Sequence, residues 1–301
     1  MAPGPDKLTW CHLKLIIKND DCLSNIINIA DSCINLGHWP NYFKILTTIV
    51  IPKPNKSLFD HPKAFCPIVL LNTLGKLIEK VVAERLQFMV ACNDFIHPSQ
   101  LGGLKFKFTS DTGIALTHII RSGWAKGKST SSLAFDISQF FPSLNHRLLI
   151  LILEKASLNH KVTAFFANYL VQRRTNYLWN DLFSPMFNVN VGVGQGSALS
   201  PILSTLYLSP LLYILENWLK NLKIPISILS FVNNGLFIAQ NKSFDISNSH
   251  LFCSYNVLSK LLDSFSLIIE YSKTEIFHFN RSQDVFNPPP LDLSLLGGPI
   301  L

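Results

Sequence analysis

Two apolar runs, Ile226 to Val232 and Leu236 to Ala239, flank Asn233-Asn234-Gly235. Strand-forming residues around Asn and Gly predict a β-hairpin, because both tolerate the positive φ of a tight turn. Well upstream, Ala134-Phe135-Asp136-Ile137-Ser138-Gln139-Phe140-Phe141 places an acidic residue at the end of another strand. The hairpin, taken alone, is an ordinary turn.

The 301 residues suffice for one large domain or two small ones with a buried core. The 48% hydrophobic content is high for a soluble domain, yet no apolar run reaches the ~18 residues of a membrane span. Leu148 to Leu153, for example, is stopped by Glu154 and Lys155. The opening Met1-Ala2-Pro3-Gly4-Pro5-Asp6 lacks the regions of a signal peptide, so an intracellular protein is expected. Cys11, Cys22, Cys33, Cys66, Cys92 and Cys253 form no CxxC pair and no zinc pattern, and are expected as buried free thiols. Between Lys44 and Lys128, twelve Lys and Arg stand against five Asp and Glu, which accounts for the whole net charge of +7. A basic half beside a neutral half fits either a bound phosphate backbone or a merely solvated surface.

The pattern predicts short helices, a strand at Ile45 to Ile51 and Pro/Lys/Asn loops such as Ile51-Pro52-Lys53-Pro54-Asn55-Lys56 over residues 1–128. Residues 129–280 alternate strands and helices: a helix from about Asn145 to Lys155, and a second at Lys161 to Val171 with Val162, Phe165, Phe166, Tyr169 and Leu170 on one stripe. Strands at Thr175 to Trp179 and Phe187 to Val193 precede a long apolar helix from about Leu199 to Lys220. After the hairpin come a helix capped by Ser247 or Asn248, then a strand pair, Ile268 to Tyr271 and Glu275 to Phe279. The tail from Asn287-Pro288-Pro289-Pro290 to Leu301 has the composition of a linker. Interleaved helices, strands and a hairpin argue for an α+β layer structure. Gly192, Gly194 and Gly196 precede a helix, as in a nucleotide-binding loop, but the Gly-Lys-Ser/Thr of a P-loop is absent.

Several stretches now align in order: Trp39 to Phe43, Ile51 to Asn55, Pro67 to Lys80, Gln100-Leu101-Gly102-Gly103, Phe135 to Phe141, Gly194-Gln195-Gly196-Ser197-Ala198-Leu199-Ser200-Pro201 and Lys273-Thr274-Glu275. On these the chain, from about residue 3 to its end, resembles the reverse transcriptase domain of non-LTR (LINE-type) retrotransposons, most of all fungal elements. The resemblance implies the fingers and palm of a right-hand polymerase, with an antiparallel palm sheet packed on helices and the thumb missing. Residues 1–128 would be fingers-like, 129–280 the palm, and 281–301 a truncated linker. It further implies RNA-templated DNA synthesis with RNA template, DNA primer and dNTP as partners, Mg²⁺ or Mn²⁺ as cofactor, no membrane, and a nuclear location.

Site residues follow from the same resemblance. Asp136 matches the metal-bridging strand aspartate, while Asn233 and Asn234 stand where the family has the two hairpin aspartates. Phe141 matches the aromatic beneath the sugar, although packing at the strand end is the plainer role. Gln195 and Gly196 match the loop that approaches the incoming base pair. Lys53 would hold the triphosphate together with a second position, Cys66, where the family has a bidentate arginine. Lys273 matches a lysine near the leaving group, a candidate general acid. Asn offers a neutral carbonyl oxygen where Mg²⁺ requires carboxylate charge, so the metal is expected to bind poorly. Each departure is one transition from the family residue. The resemblance thus implies an inactive copy, with a non-catalytic RNA/DNA-binding remnant and a non-functional decayed fragment as alternatives.

Overall fold

The computed structural model describes residues 2–54, 59–156, 158–281 and 288–301; Asn55, Lys56 and Asn287 lie outside them. In chain order the elements are α1 (Trp10–Ile16), α2 (Asp20–Asn35), β1 (Ile45–Pro52), β2 (Phe65–Leu70), α3 (Thr73–Cys92), α4 (Thr109–Ala125) and β3 (Ser129–Asp136). There follow α5 (Phe140–Ser143), α6 (His146–Lys155), α7 (His160–Leu170), β4 (Arg173–Trp179), β5 (Leu182–Phe183) and β6 (Phe187–Val189). The remainder is α8 (Ser200–Asn221), β7 (Ile226–Phe231), β8 (Asn234–Asn241), α9 (Phe244–Ser264) and β9 (Glu275–Phe279). Contacts divide the chain into two compact units that interleave in sequence: 1–93 with 141–203, and 94–140 with 204–301. Neither division falls at residue 128, which lies inside the second unit.

The first unit is built on a sheet ordered β2-β1-β4-β5, with β6 also on β4. β1 runs antiparallel to β2, with Thr47 opposite Leu70, and parallel to β4, with Ile45 opposite Arg174. The amphipathic stripe of α7 buries Phe165, Phe166, Tyr169 and Leu170. Trp39 packs edge-on against Phe165 and Tyr169 at centroid distances of 5.7 and 5.4 Å. Burying each such ring is worth roughly 1.5–3 kcal/mol. Asn145 and Asn159 cap α6 and α7, accepting from Leu148 N (3.1 Å) and Lys161 N (2.9 Å).

The helix α3 is capped from a distance. Asn72 makes no side-chain cap, and the Asp6 carboxylate accepts from Thr73 N instead (3.1 Å). Asp6 N donates to Asn72 Oδ1 (3.2 Å), and Lys76 Nζ donates to Ala2 O (2.8 Å). Gly4 permits this closeness, since a Cβ there would lie 2.2 Å from Leu71 O.

The second unit holds an all-antiparallel sheet ordered β7-β8-β3-β9. Successive residues of β3 face opposite sides of the sheet. On the Thr130 side lies α4, with Gln240 Nε2 donating to Ile119 O (2.6 Å) and to Thr130 Oγ1 (3.2 Å). On the Ser131 side lies α9, where Phe244 meets the ring of His278, whose Nδ1 pairs with Ser131 Oγ at 2.8 Å. Tyr207 OH donates to Phe265 O (2.6 Å), fastening α8 to the end of α9.

Several local expectations are corrected. The helices before residue 128 are not all short: α2, α3 and α4 have 16, 20 and 17 residues. Phe187 to Val193 stops as a strand at Val189, because Gly192 turns at φ +80 and its N–H bonds Leu144 O. The cap of α9 is Ser243, not Ser247 or Asn248; Asp245 favours a start one turn earlier, and Asn248 Nδ2 donates to Pro289 O (2.9 Å). Ile268 to Tyr271 forms no strand, only an isolated bridge between Ile269 and Ile137, because β3 has already ended. The described part of the tail is no free linker: Leu291 and Leu293 are buried, and Leu291 and Leu301 exchange backbone bonds at 2.8 Å. Of the cysteines only Cys33 is buried, Cys66 being intermediate and the other four exposed. No helix among the described residues is long and apolar enough to cross a membrane.

The remote cap generates a test. Asp6→Ala should lower the stability of the full chain by about 1 kcal/mol in urea denaturation; an unchanged midpoint would show that Asp6 does not cap α3.

Candidate functional site

The catalytic candidates of the second unit converge at the end of β3. Asp136 lies opposite Asn234 in the β3–β8 ladder, and Phe231 pairs with Asn234 to close the hairpin. The two loop residues are therefore Val232 and Asn233, and the expected Asn-Gly turn is corrected: Asn234 and Gly235 already belong to β8. Gly235 sits inside β8 for a packing reason: a Cβ there would come within 2.1 Å of the Phe135 ring. Val232 takes φ +58, a strained conformation for a β-branched residue. Ile137 N donates to Asn233 O (2.9 Å), tying the loop to the exit of β3.

Asp136 is 5% exposed, so both carboxylate oxygens need partners. Asn233 Nδ2 donates to Oδ1, and the Lys273 ammonium forms an ion pair with Oδ2. Lys273, whose side chain is 62% exposed, stands on a short 3₁₀ turn anchored by Lys273 N to Glu270 O (3.0 Å) and Glu270 N to Asp136 O (2.8 Å). Glu270, which the sequence reading missed, accepts from Ser138 Oγ (2.9 Å) and Ser272 Oγ (3.0 Å). Its only signal was an acid three residues before Lys273.

This donor set does not fit two divalent ions. Asp136 has two neutral carboxamides and an ammonium beside it, which is not the set of converging carboxylates that a two-metal site requires. Among the described residues no group of three or more His, Cys, Asp or Glu could hold a metal.

The nucleotide-binding candidates, Lys53, Cys66, Phe141, Gln195 and Gly196, belong to the first unit. Val69 N donates to Gln195 O (2.8 Å), and the Cys66 thiol reaches Gln195 Oε1 at 3.5 Å. Gly196 adopts φ +120 against β2, where a Cβ would lie 2.7 Å from Val69 O. Phe141 is half-buried and contributes its carbonyl to Val193 N (2.8 Å). Lys53, also half-buried, follows the end of β1 and donates its N–H to Ala64 O (2.8 Å). Cys66 thus meets Gln195.

A buried network under this loop escaped the sequence reading. Glu79 on α3 is fully buried and accepts from Tyr169 OH (2.7 Å), Ser197 Oγ (2.7 Å) and Ala198 N (3.2 Å). The Arg173 guanidinium lies over the Tyr169 ring at 5.2 Å. Ser200 Oγ donates to Gly194 O (2.8 Å), closing the loop onto the start of α8. Burial pushes the Glu79 carboxyl above its ordinary value, opposed by the hydrogen bonds from Tyr169 and Ser197 and by the charge of Arg173. Burial likewise pushes the Tyr169 phenol up, so it remains a donor.

The folded state therefore holds the Glu79 proton to higher pH than the unfolded chain does. Stability should fall as pH rises from the ordinary value of 4.5 toward the raised one. Glu79→Gln should flatten that slope in denaturation curves taken at successive pH values; an unchanged slope would assign it to other groups.

Residues 51–297 match the family described as reverse transcriptase (RNA-dependent DNA polymerase). The chain is 26% identical to the probable RNA-directed DNA polymerase from transposon X-element of Drosophila melanogaster, over 68% of this chain and 22% of that protein. It is 24% identical to the retrovirus-related Pol polyprotein from type-1 retrotransposable element R2 of Popillia japonica (68% and 29%). A third relative, the RNA-directed DNA polymerase from mobile element jockey of Drosophila funebris, is 25% identical (68% and 22%). The chain thus spans less than a third of the length of these curated relatives. Apo telomerase from Candida tropicalis, truncated from its C-terminal domain, superposes with a TM-score of 0.60 at 14% identity, over 80% of this chain and 51% of that one. Such a likeness concerns the fold, and supports the α+β architecture of polymerase fingers and palm. With the family match over most of its length, the chain belongs to the reverse transcriptase family, and its sequence relatives are polymerases of non-LTR retrotransposons.

Proposed function

We propose that this is a reverse transcriptase domain that retains its nucleic-acid-binding fold and has lost polymerisation. One observation carries the reading: Asp136 is engaged by the Asn233 amide and the Lys273 ammonium, with Asn234 opposite it in the ladder. The anionic pocket for two Mg²⁺ or Mn²⁺ ions is replaced by a locally neutralised contact. Losing one well-placed electrostatic group commonly costs about 10²–10³ in rate, and here two carboxylates are absent. Cys66, in the place of a phosphate-binding arginine, offers only a weak thiol donor.

In this reading residues 1–128 supply the fingers and 129–280 the palm, with Lys53, Cys66, Phe141, Gln195 and Gly196 as the residues for the incoming dNTP. RNA template and DNA primer are the partners, and the nucleus is the working compartment. Affinity to the fungal branch rests on motif wording alone. The well-filled cores of both units favour a folded binding remnant over an unfolded decayed fragment.

Primer extension on an RNA template with Mg²⁺ or Mn²⁺ tests the reading. The unaltered chain should not extend the primer, whereas Asn233→Asp, Asn234→Asp and Cys66→Arg combined should raise extension by at least about 10². Extension by the unaltered chain would overturn the claim of inactivity.

A further inference from the structure

Residues 99–108 of the second unit include the matched stretch Gln100–Gly103 and, beyond it, a surface to which the polymerase reading assigns no role. Leu101 N donates to Ser230 O and Ser230 N to Ser99 O, both at 2.8 Å, so this segment runs beside β7 next to the hairpin. Thr205 Oγ1 donates to Gly102 O (3.2 Å), and a Cβ on Gly102 would lie 2.6 Å from Val232 N. The chain leaves this anchor as Leu104-Lys105-Phe106-Lys107-Phe108. Phe106 is four positions beyond Gly102, a reach of at most about 14 Å. Phe106 therefore stays within about four base steps of the loop residue Val232.

The exposed rings have no structural purpose that the fold discloses. Lys107 N bonds Leu104 O at 3.4 Å, making Lys105 and Phe106 the centre of a turn. Phe106 holds φ +62 at the third position of that turn, where glycine is the unstrained choice. Its side chain is nevertheless 79% exposed, and Phe108 is 61% exposed. Strain without burial is a net cost to folding, so the ring's contribution lies outside the folded chain.

The chemistry indicates what the rings meet. Lys105 and Lys107 alternate with the two phenyl groups, and Lys105 Nζ sits 5.5 Å from the Phe106 centroid. Asp111, the nearest acid in sequence, is engaged by Phe108 N at 2.8 Å. Two cations interleaved with two open aromatic faces complement a phosphate backbone with stackable bases. We infer that Lys105–Phe108 is a stacking platform for single-stranded RNA beside the palm hairpin. The class of partner rests on the reverse transcriptase reading; the platform itself rests on the exposure and strain of Phe106.

Fluorescence anisotropy of the full chain with a labelled, unstructured RNA oligonucleotide tests the inference. Phe106→Gly relieves the positive φ, so it should keep or raise the melting temperature while weakening binding about tenfold. Phe108→Ala should weaken binding similarly. Lys105→Ala with Lys107→Ala should reduce the salt slope by about 1.4, as expected for two lost single-strand phosphate contacts. Unchanged affinity in Phe106→Gly, equal loss for duplex RNA, or no binding by the unaltered chain at low salt would each overturn the platform. Absence of binding by the unaltered chain would also count against the proposed binding remnant, whereas unchanged affinity in Phe106→Gly or equal loss for duplex RNA overturns the platform alone.

Discussion

β3 is hydrogen-bonded along both edges, to β8 on one side and β9 on the other, and the second unit is organised around that double ladder. With its register fixed twice, β3 cannot slip without exchanging the residues that face α4 for those that face α9. The ladder sets Asp136 at the strand end, directly opposite Asn234 and one residue from the hairpin loop. A buried carboxylate so placed has to be met by donors, and the nearest are Asn233 and Lys273. An Asp at either hairpin position would add negative charge in the same space and call for a cation from outside. With Asn the protein's own amide and ammonium suffice.

The first unit solves a related problem with neutral donors. Glu79 is more deeply buried than Asp136, yet it is met by two hydroxyls and a backbone N–H, with Arg173 stacked on Tyr169 nearby. This arrangement holds the residues that follow Gln195, while Val69 and Cys66 engage Gln195 itself. The loop keeps its shape by interactions that do not depend on metal or hairpin acids.

Much of the fold was legible because apolar spacing is a local property. The stripe of α7, the approximate start of α6 at Asn145, the length of α8 and both hairpin strands could all be read along the chain. Elements with a tertiary origin could not. β2 carries Pro67 in its middle, tolerable because β2 is an edge strand paired only with β1. The first turn of α3 depends on Asp6, far away in sequence. The Asn-Gly signal placed the turn two residues late, because Gly235 answers to the Phe135 ring rather than to a positive φ. Motif positions brought Asp136, Asn233 and Lys273 to attention, but their mutual neutralisation is visible only in space. Glu79, Tyr169 and Arg173 stayed hidden because a buried acid on a helix looks like any exposed one until its partners are known.

The central claim is that the Asp136 site is satisfied by the protein's own donors and no longer assembles a pair of divalent ions. Titration of the unaltered chain with Mn²⁺, followed by electron paramagnetic resonance, addresses it without requiring turnover. The expected result is no saturable binding that depends on Asp136, even at millimolar ion. Two bound Mn²⁺ ions that disappear in Asp136→Asn would contradict the account.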